Sequence, residues 1–189
     1  MSTASGPTDT ATRTPRSPLA SVGGLGWIGL LCRLVLGAVL IVAGALKVGD
    51  LDQSVLAVRG YQVLPYDLAV VVGYVLPPLE IVVGALLVLG LFTRWAAVLG
   101  GLMMAAFVVG IAQAWIRGLS IDCGCFGGGG EVAPDQTRYA VELARDVALL
   151  AVAAFLVAFP RTPFALEDRL FGPPPALDGL DSDPDTADR

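Results

Sequence analysis

The residues most able to do chemistry in this sequence are two cysteines, Cys123 and Cys125, separated only by Gly124. Residues two apart place their Cα atoms at most about 7 Å apart, just beyond the usual disulfide range of about 4.4–6.8 Å. A bend is needed before the sulfurs can meet, and a glycine, which lacks Cβ, adopts the backbone angles of such a bend. We therefore predict a dithiol that exchanges with a partner's disulfide by thiolate attack.

A structural disulfide or a pair of inert reduced cysteines is the alternative interpretation. Closing a three-residue loop contributes about 1.6 kcal/mol in the chain-entropy model, before any ring strain is subtracted. Such a bridge would be a poor structural cross-link, and strained exposed disulfides are the labile ones. The spacing therefore favours a redox role.

A metal site is not predicted. A closed zinc site takes about four Cys, His or carboxylate ligands, and only Asp122 and Glu131 stand near the two thiols in sequence. Histidine, the commonest transition-metal ligand and general base, is absent. The third cysteine, Cys32, lies inside an apolar stretch, roughly 20 Å below the loop at ~1.5 Å per residue, and is interpreted as a small buried side chain.

The surroundings of the thiols leave two questions open. Asp122 should oppose thiolate formation, whereas Lys47, Arg117 and Arg138 on the same face favour it. The glycine run at 127–130 is equally consistent with a mobile loop that admits a partner's backbone and with a flexible connector.

The elements that position this motif are membrane helices. Of the 189 residues, 55% are hydrophobic and only 15% are charged, and a helix that crosses a bilayer needs roughly 20 mostly apolar residues. Four stretches qualify: 26–46, 69–92, 95–116 and 139–159. The sequence predicts an all-α, integral membrane four-helix bundle in contact with lipid.

Three segments follow from this pattern: a disordered N-terminal tail at 1–25, a four-helix transmembrane domain at 26–160, and an acidic Pro/Asp-rich disordered tail at 161–189. The last segment holds seven acidic residues and three arginines, and so supplies most of the net charge of −5. With no basic patch to neutralise phosphates, nucleic-acid binding is not predicted.

Four crossings place the longer loops, 47–68 and 117–138, on one side of the membrane and both termini on the other. The side with the termini carries six Lys or Arg residues against four on the loop side, which favours cytoplasmic termini. An extracytoplasmic cysteine loop agrees with the compartments where disulfides persist. We expect a multi-pass plasma-membrane protein, and whether it forms a homo-oligomer is left open.

Five charged residues fall within the predicted spans, where each costs at least about 2.5–3.5 kcal/mol near the bilayer centre unless it is paired or hydrated. Three share one face of the last helix, and Glu80, which follows Pro77-Pro78, is expected to pair with Arg33 or Arg145. A structural ion network and a role in proton or electron transfer are both consistent with the set: Arg33, Glu80, Glu142, Arg145 and Asp146.

Residues 122–128, DCGCFGG, resemble the CGCFGG signature of the MauE/DoxX family of redox-associated membrane proteins, and of its MauE branch more closely. Arg145-Asp146 resembles the basic-polar pair that follows this signature, and the resemblance extends over about 26–160. Weaker matches are Arg33, Gly37, Lys47, Tyr61, Leu64-Pro65 and Glu80. The glycine run and the acidic tail depart from the pattern.

The resemblance implies a four-helix membrane bundle linked to methylamine utilisation. In methylamine utilisation, MauE is associated with maturation of the disulfide-rich small subunit of methylamine dehydrogenase, alongside a thioredoxin-like partner. The thiol role carries over to Cys123 and Cys125, and the supporting loop positions are Asp122, Gly124, Phe126 and Gly127.

The function we predict is electron exchange between this pair and an exported thioredoxin-like protein or a disulfide-containing client. Whether the protein acts as a thiol-disulfide oxidoreductase in the enzymatic sense, and in which direction, is left open. No cofactor is evident; if clients are oxidised, a membrane quinone is the natural electron acceptor, with Arg33, Glu80 and Arg145 as polar contacts. The alternative is a non-catalytic membrane scaffold for assembly of an exported redox enzyme. A solute transporter is disfavoured, because internal repeats are missing.

Overall fold

The computed structural model describes residues 24–159 and 165–166. Nearly all of both predicted tails, 1–25 and 161–189, lies outside the described residues. The described chain forms helices α1 (Gly24–Val48), α2 (Leu51–Gly60), α3 (Tyr66–Leu89), α4 (Thr93–Ile116) and α5 (Tyr139–Ala158). Between α4 and α5, strand β1 (Ile121–Asp122) pairs antiparallel with β2 (Gly130–Glu131), and a 3-10 turn follows at Pro134–Gln136.

Helices α1, α3 and α4 are long and apolar enough to cross a membrane, with 25, 24 and 24 residues. At ~1.5 Å per residue each reaches about 36 Å, more than the ~30 Å hydrocarbon core. Large apolar side chains such as Leu31, Val71, Leu102 and Val109 face outward and are 56–66% exposed. In a bilayer these faces contact lipid, so the protein is a multi-pass membrane protein.

Helix α5, with 20 residues, is shorter than the other long helices but extends between the same two ends of the structure. Its first residue, Tyr139, lies at the cysteine end, and Phe159, just after its last residue, lines a cavity with Leu25 and Arg94 at the opposite end. Its second half is apolar, whereas its first half carries Glu142, Arg145 and Asp146. These charges distinguish α5 from the three candidate spans found among the described residues.

Small residues bring α1 and α3 into close contact. A Cβ added at Gly84 would lie 2.6 Å from the Gly37 carbonyl oxygen, and one at Gly44 would overlap the Pro77 carbonyl. These glycines therefore allow the two backbones to touch, as expected for packing between membrane helices. Helix α3 continues through Pro77 and Pro78.

Helix α2 corrects the prediction of a loop over 47–68. Its N-terminus is capped by Asp50, whose carboxylate accepts a hydrogen bond from the Gln53 backbone N–H at 3.0 Å. The helix rests on α3, where a Cβ on Gly73 would lie 2.6 Å from the Cα of Val55. Capping by an Asp side chain and burial of one apolar face explain why this connection is helical.

The long connection 117–138 is fastened to the start of α5 by Tyr139, which is buried. Its hydroxyl accepts from the Ile121 backbone N–H at 3.0 Å and donates to the Leu119 carbonyl at 2.5 Å. The short ladder of β1 and β2 closes the connection back on itself. The cysteines lie within this closed segment.

Candidate thiol site

Cys123 and Cys125 lie at one end of the helices, in a small apolar cluster with Ile111 and Ile121, and both are buried at 5% and 6% exposure. Gly124 has a φ of +67°, the left-handed conformation that glycine adopts without strain. Its N–H donates to Asp122 Oδ1 at 2.9 Å, and the Cys125 N–H donates to Cys123 Sγ at 3.4 Å. The bend that the Cys-Gly-Cys spacing requires is therefore present.

Helix α2 supports the cysteine loop from below. The Tyr61 hydroxyl donates to the Cys123 carbonyl at 2.9 Å, and Gln53 Nε2 donates to the Gly129 carbonyl at 2.6 Å. Burial raises the pKa of Tyr61, so its hydroxyl stays protonated and remains a donor. These bonds also show that the connections 47–68 and 117–138 lie at the same end of the long helices, as predicted.

The glycine run is packed against α2. Gly129 has a φ of +102°, and a Cβ added there would overlap the Cβ of Ala57. A Cβ on Gly124 would lie 2.7 Å from the same atom. These glycines therefore let the loop backbone approach helix α2 closely. Neither the interpretation as a mobile loop nor that as a flexible connector included this packing role.

The charged face of α5 points at the cysteines. Arg145 Nε lies 2.9 Å from Asp146 Oδ1, and Arg145 Nη2 lies 4.0 Å from Cys123 Sγ. The guanidinium also stacks on the Phe126 ring, 4.7 Å from its centroid. On the other side, Cys125 Sγ lies 3.8 Å from Asp146 Oδ2, and Asp146 is buried.

These contacts make the two thiols unequal. The hydrogen bond from the Cys125 thiol lowers the pKa of Cys123, assisted by the Cys125 N–H and Arg145 and opposed by burial. The same hydrogen bond raises the pKa of Cys125, and burial raises it further. Cys123 is therefore the cysteine that forms a thiolate more readily. The sequence alone left open whether the nearby charges favour or oppose thiolate formation.

A second group of polar atoms meets at Cys123. One ligand atom each from Asp122, Cys123 and Glu142 lie within 4.8 Å of one another. Glu142 Oε2 is buried and has no hydrogen-bond partner among the described residues. The sequence pointed instead to Glu131, which is exposed in β2. A thiolate with two carboxylates has the donor chemistry for a divalent transition metal, and the prediction of no metal site is not tested.

Glu80 pairs with Lys47, so the prediction of a pair with Arg33 or Arg145 is wrong. Lys47 Nζ donates to both carboxylate oxygens at 2.7 and 2.8 Å, and both residues are buried. The long lysine side chain reaches Glu80 from the last turn of α1. Arg33 does not belong to the thiol site, since its guanidinium lies against Gly90 at the other end of α3.

Two small cavities flank Phe107, one beside each cysteine. The first, about 10 Å³, is lined by Cys125, Glu80 and Asp146, and the second, about 30 Å³, by Cys123 and Lys47. The first has room for about one water molecule, and neither would hold a quinone. A quinone acceptor therefore stays a prediction.

Cys32 does not join the site. It packs against the apolar cluster of the long helices that contains Leu36 and Leu40, whereas Cys123 and Cys125 belong to the other cluster. Its interpretation as a small packed residue agrees with this position.

The fold and the site define a multi-pass membrane protein that holds a buried Cys-Gly-Cys pair beside an arginine and three carboxylates. The family model of the methylamine utilisation protein MauE matches residues 25–159. The chain belongs to the MauE family, which confirms the resemblance found in the sequence and links it to methylamine utilisation. No curated protein and no solved structure matches the chain.

Proposed function

We propose that this protein performs thiol-disulfide exchange, passing electrons between Cys123/Cys125 and an exported thioredoxin-like protein or a disulfide-containing client. The observation that carries the proposal is the inequality of the two sulfurs. Cys123 Sγ lies 3.4 Å from the Cys125 N–H donor and 4.0 Å from Arg145, whereas Cys125 Sγ faces the Asp146 carboxylate at 3.8 Å. The Cys123 sulfur is therefore suited to attack as a thiolate, and the Cys125 thiol has a nearby proton acceptor in Asp146.

The proposed exchange conserves electrons and protons in two steps. The Cys123 thiolate attacks one sulfur of a partner's disulfide, which forms a mixed disulfide and releases the partner's other sulfur as a thiolate. Cys125 then loses its proton to Asp146 and attacks Cys123 Sγ, which forms the Cys123–Cys125 disulfide and frees the partner. Two electrons pass to the partner, and the reverse sequence oxidises a client.

A fourth membrane crossing by α5 is part of the proposal. The charges of its first half lie at the cysteine end, where Arg145 contacts the loop, and its second half is apolar. Four crossings in the plasma membrane with cytoplasmic termini would put the thiols on the extracytoplasmic side. There, a disulfide-rich exported enzyme, as in methylamine utilisation, is the client class that we favour, with a membrane quinone as acceptor when clients are oxidised.

The alternative is a non-catalytic scaffold for an exported redox enzyme, and the burial of both cysteines favours it. Exchange requires a partner to reach the sulfur of Cys123, a residue that is only 5% exposed, so the loop must open when the partner docks. A scaffold needs no such opening.

The test is the redox state of the pair in intact cells, in a Cys32→Ser background. Free thiols are tagged by mass before and after a brief pulse of mild reductant. Reduction and reoxidation within minutes supports exchange, and a Cys125→Ser variant should then accumulate a mixed disulfide through Cys123. A pair locked in one state throughout contradicts the proposal.

The double variant Cys123→Ser, Cys125→Ser separates exchange from scaffolding. Serine is close in size to cysteine, so the loop should keep its packing. A scaffold would keep its complex with the exported enzyme and its phenotype, whereas an exchange protein would lose the phenotype even when its level in the membrane is normal.

A further inference from the structure

We propose that the reduced site binds a divalent transition-metal ion, with Zn²⁺ as the ion that fits best, through Cys123 Sγ and one carboxylate oxygen each of Asp122 and Glu142. The three ligand atoms lie within 4.8 Å of one another. In a tetrahedral zinc site, sulfur and oxygen ligands lie about 3.4–3.6 Å apart. Small side-chain movements are therefore enough to close the atoms around one ion.

The ligands come from two elements that are already fixed together. Asp122 ends β1, Cys123 follows it directly, and Glu142 lies in the first turn of α5. The Tyr139 hydroxyl joins these elements through its hydrogen bonds with Ile121 and Leu119. The backbone segments that carry the ligands are thus fixed before an ion arrives, which reduces the cost of ordering the ligands.

A second observation points to a missing ligand. Glu142 Oε2 is buried without a hydrogen-bond partner among the described residues, and burial of an unsatisfied carboxylate oxygen is costly. A bound cation would satisfy this oxygen.

The local charge also favours a cation. With Cys123 as a thiolate, the three ligands carry three negative charges. The nearby cation, Arg145, lies 4.0 Å from Cys123 Sγ, and its charge is offset by the Asp146 carboxylate at 2.9 Å. Sulfur and oxygen ligands together suit a borderline-soft ion such as Zn²⁺ better than Mg²⁺ or Ca²⁺.

Metal binding would act on the thiol pair. A disulfide at Cys123 offers no thiolate, so the ion binds the reduced form and, by thermodynamic linkage, holds the pair reduced. It also occupies the sulfur that would attack a partner. This consequence rests on the proposed exchange function, whereas the binding itself does not.

The test is a Co²⁺ titration of the purified, reduced, full-length protein in detergent, followed by thiolate-to-cobalt charge-transfer absorption and then by displacement with Zn²⁺. We expect a saturable band with the wild-type protein and none with the oxidised wild-type protein. Glu142→Gln and Asp122→Asn should each weaken binding about tenfold or more. Glu131→Gln, a matched change in the same loop, should leave it unchanged.

Cys125→Ser distinguishes this site from simple chelation by two thiols, since it should retain the band. Two results would overturn the proposal: no band with the reduced protein, or a band that requires Cys125 but is insensitive to Glu142. If metal binding fails while Cys123 and Cys125 still cycle in cells, the exchange function stands alone. Binding without cycling would contradict exchange and leave the metal site.

Discussion

The two buried clusters in the described part of the chain are built differently. Along the long helices the core is apolar and includes Leu36, Leu40, Val83 and Leu87. At the cysteine end, buried side chains are mixed with tyrosine hydroxyls, a packed arginine and carboxylates. The first cluster stabilises the packing of the long helices through burial, and the second holds the cysteine pair through directed hydrogen bonds.

Helix α5 belongs to both clusters, which shows how the difference arises. Its second half places Leu149, Ala153 and Leu156 in the apolar cluster, while Arg145 and Asp146 reach the cysteines. Charges that are costly in a bilayer are grouped within two turns, beside a closed loop. Changes in the part of the apolar cluster that is remote from the cysteines should therefore alter stability alone, whereas changes at the cysteine end should alter thiol chemistry.

The largest expected effect is at the ion pair between the clusters. Lys47→Met leaves Glu80 buried without its partner, so we expect a loss of about 3–5 kcal/mol in the free energy of unfolding. Denaturant titration in detergent, followed by tryptophan fluorescence, measures it. The double variant Lys47→Met, Glu80→Leu should recover most of the lost unfolding free energy. If the stability is not recovered, the loss does not come from an unpaired buried charge on Glu80.

Leu87→Ala tests the apolar cluster, at a position that lines neither of the cavities beside the cysteines. The side chain is fully buried, and its truncation should cost about 3 kcal/mol through lost burial and a cavity. Thiol alkylation rates in the folded protein should stay within about twofold of wild type. Leu102→Ala, on an exposed position, should change stability by only about 0.5 kcal/mol. A large change in the thiol alkylation rate with Leu87→Ala would contradict the separation of the two clusters.

Gly129→Ala tests the packing of the loop on α2. The new Cβ would overlap Ala57 at a φ of +102°, so we expect a cost of about 2–3 kcal/mol and faster alkylation of Cys123. Gly128→Ala is the matched control, because its φ is +73° but the nearest atom to a new Cβ is 3.8 Å away. It should cost about 1 kcal/mol, and equal effects would argue against the packing explanation.

The pH dependence of alkylation tests the inequality of the thiols. The pKa of Cys123 is lowered, so its thiolate forms at a lower pH than that of an ordinary cysteine, and the raised pKa of Cys125 delays its reaction. At neutral pH we expect Cys123 to react about tenfold faster or more, measured by mass spectrometry of the labelled peptide. Arg145→Gln should move the Cys123 profile to higher pH, and an unchanged profile would remove Arg145 from this role.

Tyr61→Phe has the smallest expected effect. It removes the hydrogen bond to the Cys123 carbonyl and should cost about 1 kcal/mol, with a modest rise in thiol accessibility. Tyr74→Phe removes an exposed hydrogen bond to Asp52 and should cost less. Thermal unfolding of both variants compares the two losses of stability. A loss for Tyr61→Phe that is no larger than that for Tyr74→Phe would show that the loop does not depend on α2.

Much of the fold could be predicted, because long apolar runs report membrane helices directly. The predicted runs 26–46, 69–92, 95–116 and 139–159 match helices α1, α3, α4 and α5 to within three residues at their ends. Of these, α1, α3 and α4 are the candidate membrane spans among the described residues. Helix α2 was missed because it is short and only weakly apolar, although Asp50 followed by Gln53 is a recognisable capping pattern.

The site was only partly predictable. The Cys-Gly-Cys bend follows from local geometry, and Glu142, Arg145 and Asp146 share one helix face by their spacing. The partner of Glu80 and the ligand atoms around Cys123 depend on which helices are neighbours in space, which spacing along the chain does not encode. For the same reason, the close contact between Ala57 and Gly129 could not be predicted from the sequence and is visible only in the folded structure.

The close fit of the glycine run to α2 has a practical consequence for reporter groups. A run of four glycines in a surface connection is where one would normally insert an epitope tag or a fluorophore. Here an insertion would lift the loop off Ala57 and expose the sulfurs under study. Gly49, where an added Cβ meets no atom within 4 Å, is the better attachment point for a probe on this side of the protein.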